Sequence, residues 1–466
     1  MKPCRLLAVL LLALPLSAQV VVDPGPRGGT PDAGGPLASV AANNPFKILD
    51  FFLNAEQRFQ EIGSVKGTIV GAPDDGLGPR FNALGCARCH AHPAVGGSSP
   101  AVNPQVADGK AQGAANVIPS FITSTGVIKE ARFVYFTDAS GNPVTSQPNG
   151  QVMPLFTIAG RTDSGSCTTA FIQQPNFANA VAKNNIAFRI PTPLFGLGLV
   201  ENIDDSALQM VLTQHYTGPY YVGGTFNRSP NDGTISRFGW KAQNKSLELF
   251  AGEAYTVEQG VTNELFTQER PSPEENRDQG PGLAVQCRLN PTPEDHTNLD
   301  VPAEDTPSDT VMFALFMRLL KPPVENMGNP ATNPNFSRAL NGSTIFIDIG
   351  CNSCHRDKFT TEPSSITPDL SSKVARLHSD LEIHHMGTGL ADNIQQGNAG
   401  GDQFRTAPLW GLGKRRWFLH DGRTTNLITA INAHQSPGSD ANPVILNWSL
   451  LTPTAQQDLI YYLRSL

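Results

Sequence analysis

Apolar residues recur at helical spacing in a few separated stretches of the chain. In "NPFKILDFFLNAEQRFQEI", Phe51, Phe52, Phe59 and Ile62 return at the intervals of a helix face. Residues 203–214, "IDDSALQMVLTQ", predict a helix with Asp204 or Asp205 near its N-cap. "NKSLELFAGEAYTVEQG" predicts an amphipathic helix that ends at Gly260. "PSDTVMFALFMRLLKPP" predicts another, which Ser308 or Asp309 can cap and Pro322-Pro323 stops. The last stretch, "LTPTAQQDLIYYLRSL", places Thr452 as cap and Pro453 at the first helical position. Leu459, Ile460, Leu463 and Leu466 form its apolar stripe.

Between these helices the pattern is looser. Residues 91–185 are rich in Gly, Ser, Asn and Pro, with short strand-like pieces such as "RFVYFTDASGNPV", where Gly141-Asn142 marks a turn. "VENMGNPATNPNF" reads as a linker, and a second compact unit follows from about Ser337, opening with a helical "SRALNGSTIFIDIG". The expected fold is mainly α, with long ordered loops and few short strands. It comprises an N-terminal unit over 45–328 with a large insertion and a C-terminal unit over 329–466. Residues 19–44, rich in Gly, Pro and Ala, read as a flexible leader.

Composition sharpens this picture. The 466 residues include 43 glycines and 38 prolines, above their ordinary combined share of about 12%, which fits many turns. Charged residues are 16% and the net charge is −7, so nothing electrostatic favours nucleic acid. Lys2 and Arg5 precede an apolar run from Leu6 to Leu14 that is too short to span a bilayer, and Ser17-Ala18 supplies small residues. This is the pattern of an export signal over 1–18, cleaved near Ala18. It predicts a periplasmic or secreted chain with no stable membrane span once mature. Cys4 leaves with that signal. In an oxidising compartment the spare pair, Cys167 and Cys287, then most simply forms one disulfide.

The other four cysteines sit in "GCARCH" and "GCNSCH". Cys86, Cys89 and His90, and again Cys351, Cys354 and His355, spell the covalent c-type haem attachment sequence. Two intervening residues let one helical turn present both thiols to the porphyrin vinyls, and the next residue turns its imidazole to the iron. A zinc site would want two cysteine pairs close together. A thioredoxin-type pair lacks the following His and sits in an α/β pattern. This composition would yield only about 0.002 such motifs by chance. Two covalently bound haem c groups are expected, with His90 and His355 as proximal ligands. A helix before the motif and another at the C-terminus is also the layout of a cytochrome c domain. For the second centre's opposite face, Met386 of "HHMG" and His434 of "INAHQSPG" compete. For the first centre, His215, Met312 and Met317 are the choices.

Longer stretches carry a family likeness. "GLGPRFNALGCARCH", "PTPLFGLGLVENI", "RFGWKAQNKSLELFAGEAY", "SDLEIHHMGTGLAD" and "FRTAPLWGLGKRRWFLHDGRTTNLITAINAH" resemble the bacterial di-haem oxidoreductases, also called di-haem thiol oxidoreductases. That family is related to the di-haem cytochrome c peroxidases. The likeness runs from about 45 to 466. It implies two cytochrome c-like haem domains, the first with the insertion, and haem redox chemistry in the periplasm. In the peroxidase relatives a helix after "HDG" bears the distal ligand of the C-terminal haem, and the matching position here is His434. Two departures bear on the pocket chemistry: His385 where the family tends to have Asp, and "QSPGSD" after "AINAH".

The remaining candidates follow from chemistry. Arg405 suits a haem propionate, because guanidinium matches a carboxylate fork. Trp240 and Trp410 are candidates for packing between or beside the haems, with ordinary core packing as the alternative. Glu201 and Glu258 are acid/base candidates for O–O cleavage. Lys414-Arg415-Arg416 could dock an acidic electron donor. The resulting reading is an enzyme, a di-haem oxidoreductase acting on peroxide or a thiol/sulfur compound and served by a small cytochrome or cupredoxin. A non-catalytic di-haem electron carrier is the alternative, and an extracellular oxygenase of the rubber-cleaving di-haem type is a third reading.

Overall fold

The computed structural model describes residues 20–466 except 29–32, 43–47, 216–221, 271–282, 303–305, 327–329, 332 and 364–366. The stretch read as an export signal, 1–18, therefore lies outside the described residues. About 30% of the chain is helical and 14% is strand, a more mixed composition than the mainly α expectation. Among the described residues the strands pair into five small sheets of two or three strands each. The insertion supplies most of them, because its β-branched and aromatic residues alternate over only two to six positions between turns. Among the described residues no helix is long and apolar enough to cross a membrane.

The N-terminal unit is built on three helices. Helix α1 (Ile48–Gln60) packs on α3 (Asp309–Leu319), which packs on α2 (Leu247–Ala254). Phe52 and Phe59 of the apolar stripe read from the sequence form the contact face, whereas Phe51 is exposed and Ile62 lies beyond the end of the helix. Phe59 stacks 4.6 Å from Phe316 and meets Phe313 edge-on at 6.0 Å, while Phe52 lies 5.6 Å from Phe316. Such pairs add about 0.5–1.5 kcal/mol each beyond their buried area. Ser308, not Asp309, is the cap of α3, accepting from the Val311 N–H. Helix α2 runs on through a wider turn, Tyr255–Gln259, to Gly260, where φ is 72°.

The insertion folds over this bundle. Strands β1 (Glu130–Phe133), β2 (Val152–Met153) and β3 (Ile186–Arg189) form an antiparallel sheet with β1 central, pairing Glu130 with Arg189. A second core gathers here around Phe81, Phe133, Phe156 and Phe177. It contains the Cys167–Cys287 disulfide, which joins positions 120 residues apart, as the spare-pair argument predicts.

In the C-terminal unit α4 (Phe336–Asp348) crosses α7 (Pro453–Leu463), with α5 (Leu427–Asn432) and α6 (Asn442–Leu450) completing the wall. A Cβ on Gly342 would stand 2.1 Å from the Asp458 carbonyl oxygen, so glycine permits the close crossing of α4 and α7. Thr452 caps α7 through the Ala455 N–H, and Pro453 begins it.

One expectation is corrected. The flexible leader is docked, at least over its described part. Val22 exchanges hydrogen bonds with Gln457, Asp23 forms a buried ion pair with Arg464, and Leu37 and Val40 are buried. Glycine and proline signal a lack of regular structure, not a lack of contacts.

Candidate functional site

Each Cys-x-x-Cys-His sequence forms one tight turn at the wall of a deep cavity. The first turn, Cys86–Cys89, follows Gly85, whose Cβ position would fall 2.2 Å from the Glu61 carbonyl oxygen. The second begins after Gly350 at φ 96°. The glycine that precedes both motifs in the sequence is therefore required at both by the geometry.

The first cavity is lined by Cys86, Cys89, His90, Phe59, Met317 and Glu258, among others. The second is lined by Cys351, Cys354, His355, Met386, Arg405 and His434, within a largely apolar wall. With the space at their mouths they enclose about 1210 and 1430 Å³ respectively. All four thiols are free, and burial raises their pKa values, Cys351 to about 12 and Cys89 well above its ordinary value.

Both histidines are oriented as iron ligands would be. The Nδ1 of His90 is 3.0 Å from the Gly97 carbonyl and that of His355 is 3.1 Å from the His378 carbonyl. A proton on Nδ1 leaves Nε2 as the lone pair, and both rings line their cavities; the Thr192 carbonyl is a second backbone partner of the His90 ring. Burial lowers both to about 4, so both rings are neutral, as ligation requires.

His434 looks into the same cavity as His355, with its own Nδ1 held 2.8 Å from the Ala430 carbonyl. Burial lowers its pKa too, and its field reaches His355. Met386 also lines this cavity, so the two candidates stand together there. Of the first-centre choices, Met317 lines the cavity and Met312 sits in the helical core. The side chain of His215 lies outside the described residues.

Arg405 lines the second cavity and spends its donors on the carbonyls of Gly239 and Thr406. Arg415, also lining it, reaches only the Pro408 carbonyl, at 3.4 Å. Among the described residues neither has a carboxylate partner, and burial holds both at about 10. Two desolvated guanidiniums at the wall of an apolar slot suit the two carboxylates of a porphyrin. The basic run is thereby split: Lys414 is buried, with Nζ on the Gly28 carbonyl, and only Arg416 is exposed. It does not form a docking patch.

Trp240 lines both cavities. Its Nε1 donates to the Ile190 carbonyl at 2.9 Å, and its ring meets His420 edge-on at 6.4 Å. Trp410 lines neither and packs in the N-terminal core, the ordinary role for a buried indole. The two acidic candidates also part. Glu201 lines neither cavity. It pairs with Arg318 at 2.6 Å and accepts from the Leu247 N–H, which makes it a structural residue. Glu258 lines the first cavity, where burial and then the neighbouring Glu130 carboxylate push it up to about 8, against a hydrogen bond from Asn82.

The sequence reading missed Glu130, Arg132, Arg189 and Arg415. The first three stand on the strands of the insertion, brought to the cavity by pairing that no local pattern announces.

Two cavities, each built round a Cys-x-x-Cys-His turn, share one tryptophan among the residues that line them. The model of the family described as "Di-haem oxidoreductase, putative peroxidase" matches residues 151–466, and the chain belongs to that family. The match covers the second motif and most of the insertion, a narrower span than the resemblance over 45–466. No curated protein was found to match. Among solved structures, the xenon-pressurised hydrazine synthase of Kuenenia stuttgartiensis covers 100% of both chains at 13% identity and a TM-score of 0.34, a likeness too loose to carry any argument.

Proposed function

We propose that the chain is a periplasmic or secreted di-haem c-type oxidoreductase. Cys86 and Cys89 would hold one haem and Cys351 and Cys354 the other, both covalently. His90 and His355 are the proximal ligands in this reading and His434 is the distal ligand of the second centre. Bound at these sites, haem iron supplies one-electron redox chemistry and, where a coordination place is open, a site for a small oxidant.

The observation that carries the division of labour is the difference between the two cavities. Opposite His355 the chain offers an oriented imidazole, His434, which suits electron relay. The first cavity instead has a carboxyl, Glu258, held protonated near neutral pH and facing the space beside His90. Glu258 can give a proton to a leaving oxygen and recover it, the task of a general acid in peroxide cleavage. Trp240 lines both cavities, which makes it the candidate for coupling two centres held there. An exported small cytochrome or cupredoxin would supply electrons to the second unit. A thiol or other sulfur compound is the competing substrate class.

One observation favours the second reading, a non-catalytic carrier: Met317 lines the first cavity and would close its open place if it bound. Adding hydrogen peroxide to the fully oxidised and the half-reduced protein decides. A spectral change with turnover by an artificial donor supports the enzyme. No change in either state, with no turnover, supports the carrier.

A further inference from the structure

We propose that Glu130 and Glu258 form a carboxylate dyad sharing one proton at the wall of the first cavity, with Glu130 as the positioning residue that keeps the proton on Glu258. The proposal deepens the peroxidase reading of that cavity and rests on it.

Three separate elements converge to build the pair. Glu258 comes from the wide turn after α2, Glu130 from β1 of the insertion, and Asn82 from the segment before the first motif. Asn82 Nδ2 donates to Glu258 Oε2 at 3.0 Å, and the Glu130 and Glu258 carboxyls stand on the same cavity wall within reach of each other. Two ionised carboxylates have only acceptors, so a hydrogen bond between them requires one proton.

The surroundings decide where that proton sits. Arg132 is two residues along β1, on the same face, and donates to Glu130 at 2.5 Å. Arg189 is the cross-strand partner of Glu130 and is itself anchored by Asp392 at 2.7 Å. Two guanidiniums thus keep Glu130 ionised, although burial opposes it. Glu258 has only a neutral amide as its other partner, so it takes the proton. Glu253 and Arg270 also face the cluster, one of each sign, and their fields oppose one another. This is how like-charged neighbours divide into an acid and an anion in a shared site.

The chemistry balances for a hydroperoxide: ROOH + 2e⁻ + 2H⁺ → ROH + H₂O. The O–O bond breaks, and the two electrons come one each from two molecules of the reduced small redox protein. One of the two protons is the one Glu258 holds. The dyad is recharged from water, with Glu130 as the anion that draws the proton back.

The test uses the full chain with both haems. In infrared difference spectra, wild type should show a protonated carboxyl band that E258Q lacks. In E130Q that band should vanish at a pH lower by ~1 unit or more, because the anion raising Glu258 is gone. The alkaline limb of kcat should move down with it, KM holding steady, and E130D should restore the wild-type limb. An E130Q band titrating where the wild-type band does would overturn the dyad. If E130Q does not fold, wild type against E258Q still decides: no carboxyl band removed by E258Q overturns it. A shifted band in E130Q with full turnover in E258Q would keep the dyad and discard the acid role, so the two readings fail separately.

Discussion

His355 and His434 line one cavity from different elements of the C-terminal unit, and each has its Nδ1 tied to a backbone carbonyl, at 3.1 and 2.8 Å. In each, a proton on Nδ1 leaves Nε2 as the lone pair of a ring that lines the cavity. His434 stands just after the end of α5, whose start is fixed by the Asn426 cap on the Thr429 N–H. The capped start of α5 fixes the position of His434, so it would need no rearrangement to act as a ligand. Met386, in contrast, follows the short strand Ile383–His385 that pairs with Gln403–Arg405.

His434→Gly should change the visible and EPR spectra of one haem and leave the other as it was. Met386→Leu should leave both unchanged. Spectra untouched by His434→Gly would remove it from the coordination sphere.

Glu258→Gln should lower kcat for peroxide by about 10²–10⁴, with little effect on KM. The sign of the pH effect follows from the raised pKa. The acid form is present below about 8 and is lost as the pH rises through that value. Wild-type activity should therefore fall on the alkaline side of pH 8, and a flat profile across that range would contradict the role.

Asp23→Asn should destabilise the chain by about 3–5 kcal/mol, because it leaves Arg464 buried without its partner. Both side chains are almost fully buried, at 2% and 3% exposure, so solvent screening takes little from this figure. Burial pushes Asp23 up, but hydrogen bonds from Arg464 and from the Leu427 and Gly25 N–H groups outweigh it and hold the carboxyl low. That contribution is present above the ordinary carboxylate range and is lost as pH falls through the lowered value. Chemical denaturation at neutral pH measures the loss; an unchanged midpoint would mean that the docked leader adds no stability.

Reducing the Cys167–Cys287 bridge should cost about 2–5 kcal/mol and loosen the insertion rather than the second cavity. Limited proteolysis with and without reductant reads this directly. Cleavage that spreads first to 329–466 would show that the insertion does not fold around the bridge.

The chemistry of this chain was more legible than its fold. Cys-x-x-Cys-His is a local instruction, and both copies lie where one turn meets a cavity. Ser308, Thr452 and the apolar stripe of α7 act within a few residues of where they are written, so these helix starts and that face could be read; in α1 only Phe52 and Phe59 of the stripe face inward. What could not be read depends on long-range pairing. Arg189 reaches Glu130 only through the β1–β3 register, and Arg415 faces the cavity from within a run that looks like a solvated basic loop. Asp23 belongs to a segment whose composition gives no hint of Arg464, 441 residues away. Glu201 and Glu258 are alike on paper, and only the fold sends one to a salt bridge and the other to the cavity.

The central claim is that two Cys-x-x-Cys-His turns each hold a haem covalently. Expression in a host that matures c-type cytochromes, followed by a pyridine haemochrome assay with intact-mass measurement, tests it most directly. Two haems per chain, with a mass raised by two haem groups that survives denaturation, is the predicted result. One haem or none, or haem that is lost on denaturation, would contradict it.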